Sequence, residues 1–215
     1  MSPARSASSP RAASETRDQI DAAAVRLFAE RGYHATTMRD IANAVSVQTS
    51  AIYYWYQNKE AILLRLQERF LEDLSEAVVL AIARGKDPTQ RLALAVREHV
   101  IFHGRHPQEA FVTDSEIRAL SPEHQRGLVA ERDVYQDRFI DLIDQGAKAG
   151  MLRVSDSRIA AYAILLQCTG VALWFSPDGP KSIEEVADIH IELVLGAVGA
   201  TRKTIDAARD AASAG

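Results

Sequence analysis

The 215-residue chain is poor in the features that mark export, membrane insertion and catalysis. It has one cysteine, Cys168, so it holds no internal disulfide framework and fits a reducing compartment. No apolar run approaches the roughly 18 residues that span a bilayer. The N-terminal MSPARSASSPRAAS lacks the apolar block of an export signal. A cytoplasmic protein with no membrane partner is expected. Gly-rich phosphate loops, G-x-S-x-G elbows and Cys/His zinc spacings are all missing. The sequence therefore offers no catalytic residues and calls for no cofactor. Strand-like alternation and internal repeats are missing too.

What is present is a globular composition, 47% hydrophobic and 25% charged, long enough for one domain or a small head on a larger body. The net charge is −4, unevenly spread. Residues 1–60 hold seven basic and six acidic side chains, a net of +1, which leaves −5 for the remainder. Residues 1–14 are rich in Ser, Ala, Pro and Arg and contain no acid, which predicts a disordered arm. Arg5 and Arg11 on it suit a nucleic-acid minor groove, or belong to an idle tail.

From Glu15 onward helix follows helix. Ile20, Ala24, Leu27 and Phe28 recur at helical spacing up to Gly32. Thr37 and Asp40 form a capping-box pattern for a short helix over Met38–Val45, and another short helix follows Val47. Asn58 caps a long helix to about Ala83. Asp87-Pro88 opens one that Gly104 closes, and Pro107 and Ser121-Pro122 open two more. Residues 156–175 form the most apolar helix, and Ser182 with Glu185 caps the last, which reaches about Gly199. The class is all-α, with about nine helices.

Two patterns bear on assembly and ligands. Ile159, Ala163, Leu166, Gly170 and Leu173 make one apolar seam; Ile183, Val186, Ile189, Leu193, Val194 and Ala197 make another. They are either interior to one bundle or a two-fold interface donating two helices per subunit. His99, His103 and His106 would share a helix face, but Gly104 and Pro107 interrupt it. Polar cavity or surface histidines are expected rather than a metal site.

The stretch Phe28–Lys59 with its continuation, FAERGYHATTMRDIANAVSVQTSAIYYWYQNKEAIL, resembles the DNA-binding domain of the TetR family of bacterial transcriptional regulators. The likeness rests on F-x-x-x-G-x-x-x-T-T, I-A-x-x-x-x-V and Y-x-x-[FY]-x-x-K-x-x-L. The C-terminal part, through Glu116, Arg118, Leu120, Arg132 and Trp174–Pro180, resembles a branch that often answers to acyl-CoA or other lipid-derived thioesters. Ser46 stands where the family usually has glycine, and Gln48 where Ser or Thr commonly caps the recognition helix. Tyr54-Trp55 replaces a more polar pair.

The resemblance implies a three-helix helix-turn-helix head over residues 15–58. A ligand-binding and dimerisation bundle over 59–200 and a flexible tail over 201–215 complete the chain. Gln48, Thr49 and Ser50 have the chemistry to reach base edges in the major groove, and Tyr53 and Tyr54 to reach phosphate. Tyr53 has packing beneath the recognition helix as its other role, and Tyr56 is assigned to packing. Thr36, Thr37 and Lys59 sit at helix N-termini, where phosphate is favoured. Arg39 meets phosphate or pairs with Asp40 or Glu30. In the body, Phe102, Phe111, Arg118, Arg132, Tyr135, Phe139 and Trp174 are the ligand candidates, with Phe70, Leu74 and Tyr162 as further lining and Arg126 as a further cation. Ile159, Ala163, Leu166, Gly170, Val186, Ile189, Leu193 and Ala197 are the dimer candidates. The expected partners are a double-stranded DNA operator, a hydrophobic or CoA-thioester effector and a second copy of the chain. An efflux-gene repressor sensing a drug-like compound, an activator, and a plain small-molecule carrier are the alternatives.

Overall fold

A computed structural model describes the backbone of residues 10–213 and the side chains of 15–213. Arg5, and the side chain of Arg11, lie outside the described residues. Among those described there are eleven α-helices, one 3₁₀ turn and no strand. The head comprises α1 (Pro10–Arg31), α2 (Met38–Ala44) and α3 (Thr49–Tyr53). The body follows as α4 (Lys59–Ile82), α5 (Pro88–Arg105), α6 (Pro107–Ser115), a 3₁₀ turn (Ile117–Ala119) and α7 (Pro122–Lys148). It ends with α8 (Ser157–Thr169), α9 (Val171–Trp174), α10 (Ile183–Ala197) and α11 (Arg202–Ser213).

Helix ends follow local chemistry. Thr37 and Asp40 form the capping box of α2, and Ser182 and Glu185 that of α10. Asn58 accepts from the Ala61 amide, and Asp87 from the Thr89 and Gln90 amides ahead of a proline in the first turn. Three expectations change. The helix α1 begins at Pro10, inside the stretch expected to be a disordered arm. Residues 202–213 are helical rather than a flexible tail. Ile205, Ala208 and Ala212 bury one face of that helix against α5 and α10, and Arg202 and Arg209 pair with Glu192 on α10. Gly104 does not end α5 but sits inside it. A Cβ there would stand 2.2 Å from Ile183 Cδ1, so glycine is what lets α5 and α10 cross closely.

The core has two parts. In the body, α5 is the axial helix: Leu92–Val96, His99–Ile101, His103 and Gly104 are buried, and α4, α7, α8, α10 and α11 pack around them. Residues 156–175, the most apolar stretch, are not the interior one. The 18-residue segment Ser157–Trp174 has a mean hydropathy of 1.2, so by length and composition it qualifies as a membrane span, against the expectation that no segment would. Only 28% of it is buried, through residues such as Ala161, Ile164, Cys168 and Val171. The head core of Ile20, Phe28, Ile41 and Ile52 is closed by Val112, Leu120 and Leu128 from the body. The boundary expected at residue 58 is therefore one of topology, not of packing.

Candidate functional site

The head presents a polar edge. Ile41 and Ala42 of α2 and Ile52 of α3 point into the core. The opposite side shows Thr37, Arg39, Gln48, Ser50, Tyr53 and Tyr54 to solvent, with Thr49 half-buried. Tyr54 is 78% exposed and packs edge-on against Trp55, ring centroids 4.9 Å apart. Between the helices Ser46 has φ 56°, the left-handed region that costs an L-residue free energy. Gln48 occupies the N-cap of α3 without a side-chain capping bond. Arg39 forms no ion pair among the described residues. Tyr56 packs inward: its hydroxyl donates to buried Asp21 and accepts from Arg17 Nε at 3.1 Å. Burial and the Asp21 carboxylate push its phenol up to about 12.

Two residues expected at phosphate are committed elsewhere. Thr36 is 1% exposed, and its hydroxyl donates to the carbonyls of Gly32 (3.0 Å) and Leu27 (3.3 Å), closing the end of α1. Lys59 Nζ donates to the carbonyls of Tyr33 (2.6 Å) and Thr36 (2.7 Å) and stands 4.1 Å from the Tyr33 ring centroid. It is a latch between α4 and the α1–α2 loop, and desolvation lowers its pKa. Thr37 is exposed, but its hydroxyl and amide both donate to Asp40.

The body reaches the same latch from below. Glu116 accepts from the Tyr33 amide at 3.2 Å, and Glu60 accepts from the Ser121 amide at 2.8 Å while facing His124 Nδ1 at 2.7 Å. The connection from α6 to α7 thus grips both the loop and the first turn of α4.

Farther along α4, Phe70, Leu71 and Leu74 wall a cavity of about 140 Å³. His99 and His103 of α5, Thr113 and Asp114 of α6, Arg132, Tyr135 and Gln136 of α7, and Leu165 and Thr169 of α8 complete it. The two histidine rings stack with centroids 4.1 Å apart. His99 meets the Tyr135 hydroxyl at 2.7 Å and the Thr169 hydroxyl at 3.0 Å, so both its nitrogens are used. His103 Nδ1 donates to the His99 carbonyl at 2.9 Å, which leaves Nε2 as an acceptor. Burial holds His99 well below the ordinary histidine range and His103 down to about 4, so both are neutral. No cluster of three metal-ligating side chains exists among the described residues.

The ligand candidates divide. Arg132 and Tyr135 line this cavity. Phe102 lines an adjoining cleft of about 240 Å³ between α1, α4, α5 and α6, which shares Phe70 and Thr113 with the cavity. Phe111 and Trp174 are exposed and border surface grooves. Phe139 is fully buried core and Arg118 lies exposed within the 3₁₀ turn, so neither lines the cavities described above. Thr113, Gln136 and Thr169 were missed because only the tertiary fold brings these polar residues to one wall.

The outer face is apolar. Ile159, Leu166, Leu173, Ile189 and Leu193 are 64%, 78%, 75%, 42% and 55% exposed, with Ala163 and Ala197 beside them and Gly170 half-buried. Val186 is 5% exposed and turned inward, so it leaves this set.

A three-helix head on a helical body, with a cavity along the connecting helix, agrees with the family comparisons. Residues 20–66 match the model of bacterial regulatory proteins of the tetR family, and residues 85–198 match the tetracyclin repressor-like C-terminal domain. The chain belongs to the TetR family. It is a ligand-responsive transcriptional regulator with a DNA-binding head, of a family of regulators rather than enzymes. The HTH-type transcriptional repressor KstR2 of Mycolicibacterium smegmatis is 28% identical over 185 residues, 85% of this chain and 90% of that one. A tetR-family regulator from Rhodococcus RHA1 superposes with a TM-score of 0.82 at 30% identity, over 87% of this chain and 98% of that one. AibR in complex with isovaleryl coenzyme A and operator DNA gives 0.76 at 25% identity, over 84% and 97%.

Proposed function

We propose that this TetR-family regulator is a cytoplasmic homodimeric repressor of a palindromic operator, released by a small acyl thioester of coenzyme A. The observation that carries the reading is the double duty of α4. Its first residue latches the head through Lys59, and Phe70, Leu71 and Leu74, about 16–23 Å along the axis at 1.5 Å per residue, wall the cavity. A ligand that shifts α4 shifts the head. Recognition helices of a dimer must lie about 34 Å apart to enter successive major grooves, so a displacement of a few ångströms prevents simultaneous docking. The exposed face of α8, α9 and α10 supplies the second copy. Gln48, Thr49, Ser50, Tyr53, Tyr54, Thr37 and Arg39 form the DNA-facing edge.

The cavity, about 140 Å³ with Leu71, Leu74 and Leu165 on its wall, suits a short acyl group. AibR was solved with isovaleryl coenzyme A, which supports the effector class, and KstR2 is a repressor, which supports the direction of control. Selection from random duplex DNA should return a palindrome, and isovaleryl-CoA should then displace it in a fluorescence-anisotropy titration. Absence of any sequence preference would refute the operator reading.

A second reading, a hydrophobic drug-like effector, draws on the 240 Å³ cleft. Asp18, Asp21, Asp73 and Glu109 line it against Arg69 and His106, a charge balance suited to a lipophilic cation. Release by tetraphenylphosphonium and not by isovaleryl-CoA would favour it.

A further inference from the structure

Resting on the acyl-thioester reading of the cavity, we propose that Gln67 is the residue that reads the effector, donating to the oxygen of its acyl carbonyl. Gln67 lies on α4, one turn before Phe70 and Leu71, and is 2% exposed. Its Oε1 accepts from an Arg132 N–H at 3.3 Å, and the same guanidinium nitrogen donates to the Thr113 carbonyl at 2.9 Å. Arg132 and Thr113 both line the cavity, and Gln67, not itself part of the lining, is joined to it through Arg132.

The other end of the carboxamide, Nε2, is buried and has no hydrogen-bond partner. Turning the amide over does not help. A guanidinium has donors only, so Arg132 fixes the oxygen toward itself and the NH₂ away from it. Among the described residues this is the one buried side-chain donor left unpaired. Buried polar groups are nearly always paired, and an orphan calls for a cause.

An unmade bond of this kind disfavours the ligand-free state. A ligand oxygen that reached Nε2 as α4 moved would relieve it in the ligand-bound state alone, which is the difference between states that any effector needs. The rest of the lining fits the same group: Leu71, Leu74 and Leu165 suit an alkyl tail, and Arg132, which bonds Gln67, is a cation on the same wall.

The test uses the full-length protein, Gln67→Leu and, as an unbranched second variant, Gln67→Met. Two probes are titrated against operator-bound protein: isovaleryl-CoA and its thioether analogue S-(3-methylbutyl)-CoA, which keeps the tail and lacks the carbonyl. The wild type should require about tenfold more thioether than thioester. Both variants should lose that preference, and in their free form they should unfold no lower than the wild type. A variant that keeps the preference, or a wild type released equally by both probes, overturns the role of Gln67 and leaves the effector reading standing. Unfolding several degrees lower with the preference intact makes Gln67 a structural strut and also overturns it. A wild type released by neither compound overturns the acyl-thioester reading, and the Gln67 assignment falls with it.

Discussion

The ammonium of Lys59 donates to the Tyr33 carbonyl at 2.6 Å and lies 4.1 Å from the centroid of that residue's ring. With the Thr36 carbonyl at 2.7 Å, two of its three donors are taken up inside the protein. Lys59→Met should lower the unfolding free energy by about 1–2 kcal/mol, the scale of hydrogen bonds from a partly exposed charge. Operator affinity should fall with it. The slope of log K against log salt should not change, because no phosphate contact is lost. Arg39→Ala should reduce that slope by about one. Anisotropy titrations over a salt series separate the two, and a shallower slope in Lys59→Met would return Lys59 to the DNA.

The apolar face makes the next prediction. Leu166 is 78% exposed and Leu193 55%, so neither contributes much to the fold of one subunit. In a dimer each would be buried, worth about 1.5–3 kcal/mol per leucine per subunit. Leu166→Asp with Leu193→Arg should therefore give a monomer of nearly unchanged unfolding temperature, seen by sedimentation equilibrium, and weaken operator binding by about a hundredfold or more as the second half-site contact is lost. A double variant that still sediments as a dimer would move the interface elsewhere.

Much of this was legible in the chain, for local reasons. Capping boxes, Asp87-Pro88 and Asn58 act within three residues, so the sequence displays them, and the left-handed Ser46 and the uncapped Gln48 follow from the same short-range logic. The errors are long-range. Backbone carbonyls are invisible to residue identity, so nothing announced that Thr36 and Lys59 would be spent on Leu27, Gly32 and Tyr33. A helix apolar on most sides does not say which side faces out, which is why Val186, expected at the dimer face, turned inward. The last helix did carry a signal: Ile205, Ala208 and Ala212 recur at helical spacing amid polar residues.

The buried histidine pair makes stability pH-dependent with a definite sign. His103 is held down to about 4 by burial, against about 6.5 in an unfolded chain. The unfolded state therefore takes up the proton first. The contribution is complete above about pH 6.5 and is lost progressively as pH falls toward 4, by roughly 3 kcal/mol at most. His99, lowered by burial and by His103, acts in the same direction. His103→Gln, which does not titrate, should flatten urea-unfolding free energies over this range relative to the wild type. Parallel curves for the two proteins would show that His103 is not buried neutral.

The last prediction concerns how the cavity speaks to the head. Arg132 holds the Thr113 carbonyl of α6 at 2.9 Å, and just past α6 Glu116 accepts from the Tyr33 amide at 3.2 Å. Tyr33 in turn receives Lys59 from the start of α4. Movement of α6 is thus transmitted to the residue that fixes the head, by a route separate from α4. Glu116→Ala should reduce the ratio of operator dissociation constants with and without saturating isovaleryl-CoA by about 2- to 30-fold, the range of side chains that carry coupling. Linkage requires the same factor in the ratio of isovaleryl-CoA affinities with and without operator, measured by calorimetry. A loss of operator affinity by the same factor with and without isovaleryl-CoA, leaving the ratio unchanged, would trace the effect to a damaged head rather than to coupling. An unchanged ratio in both would leave α4 as the whole of the route.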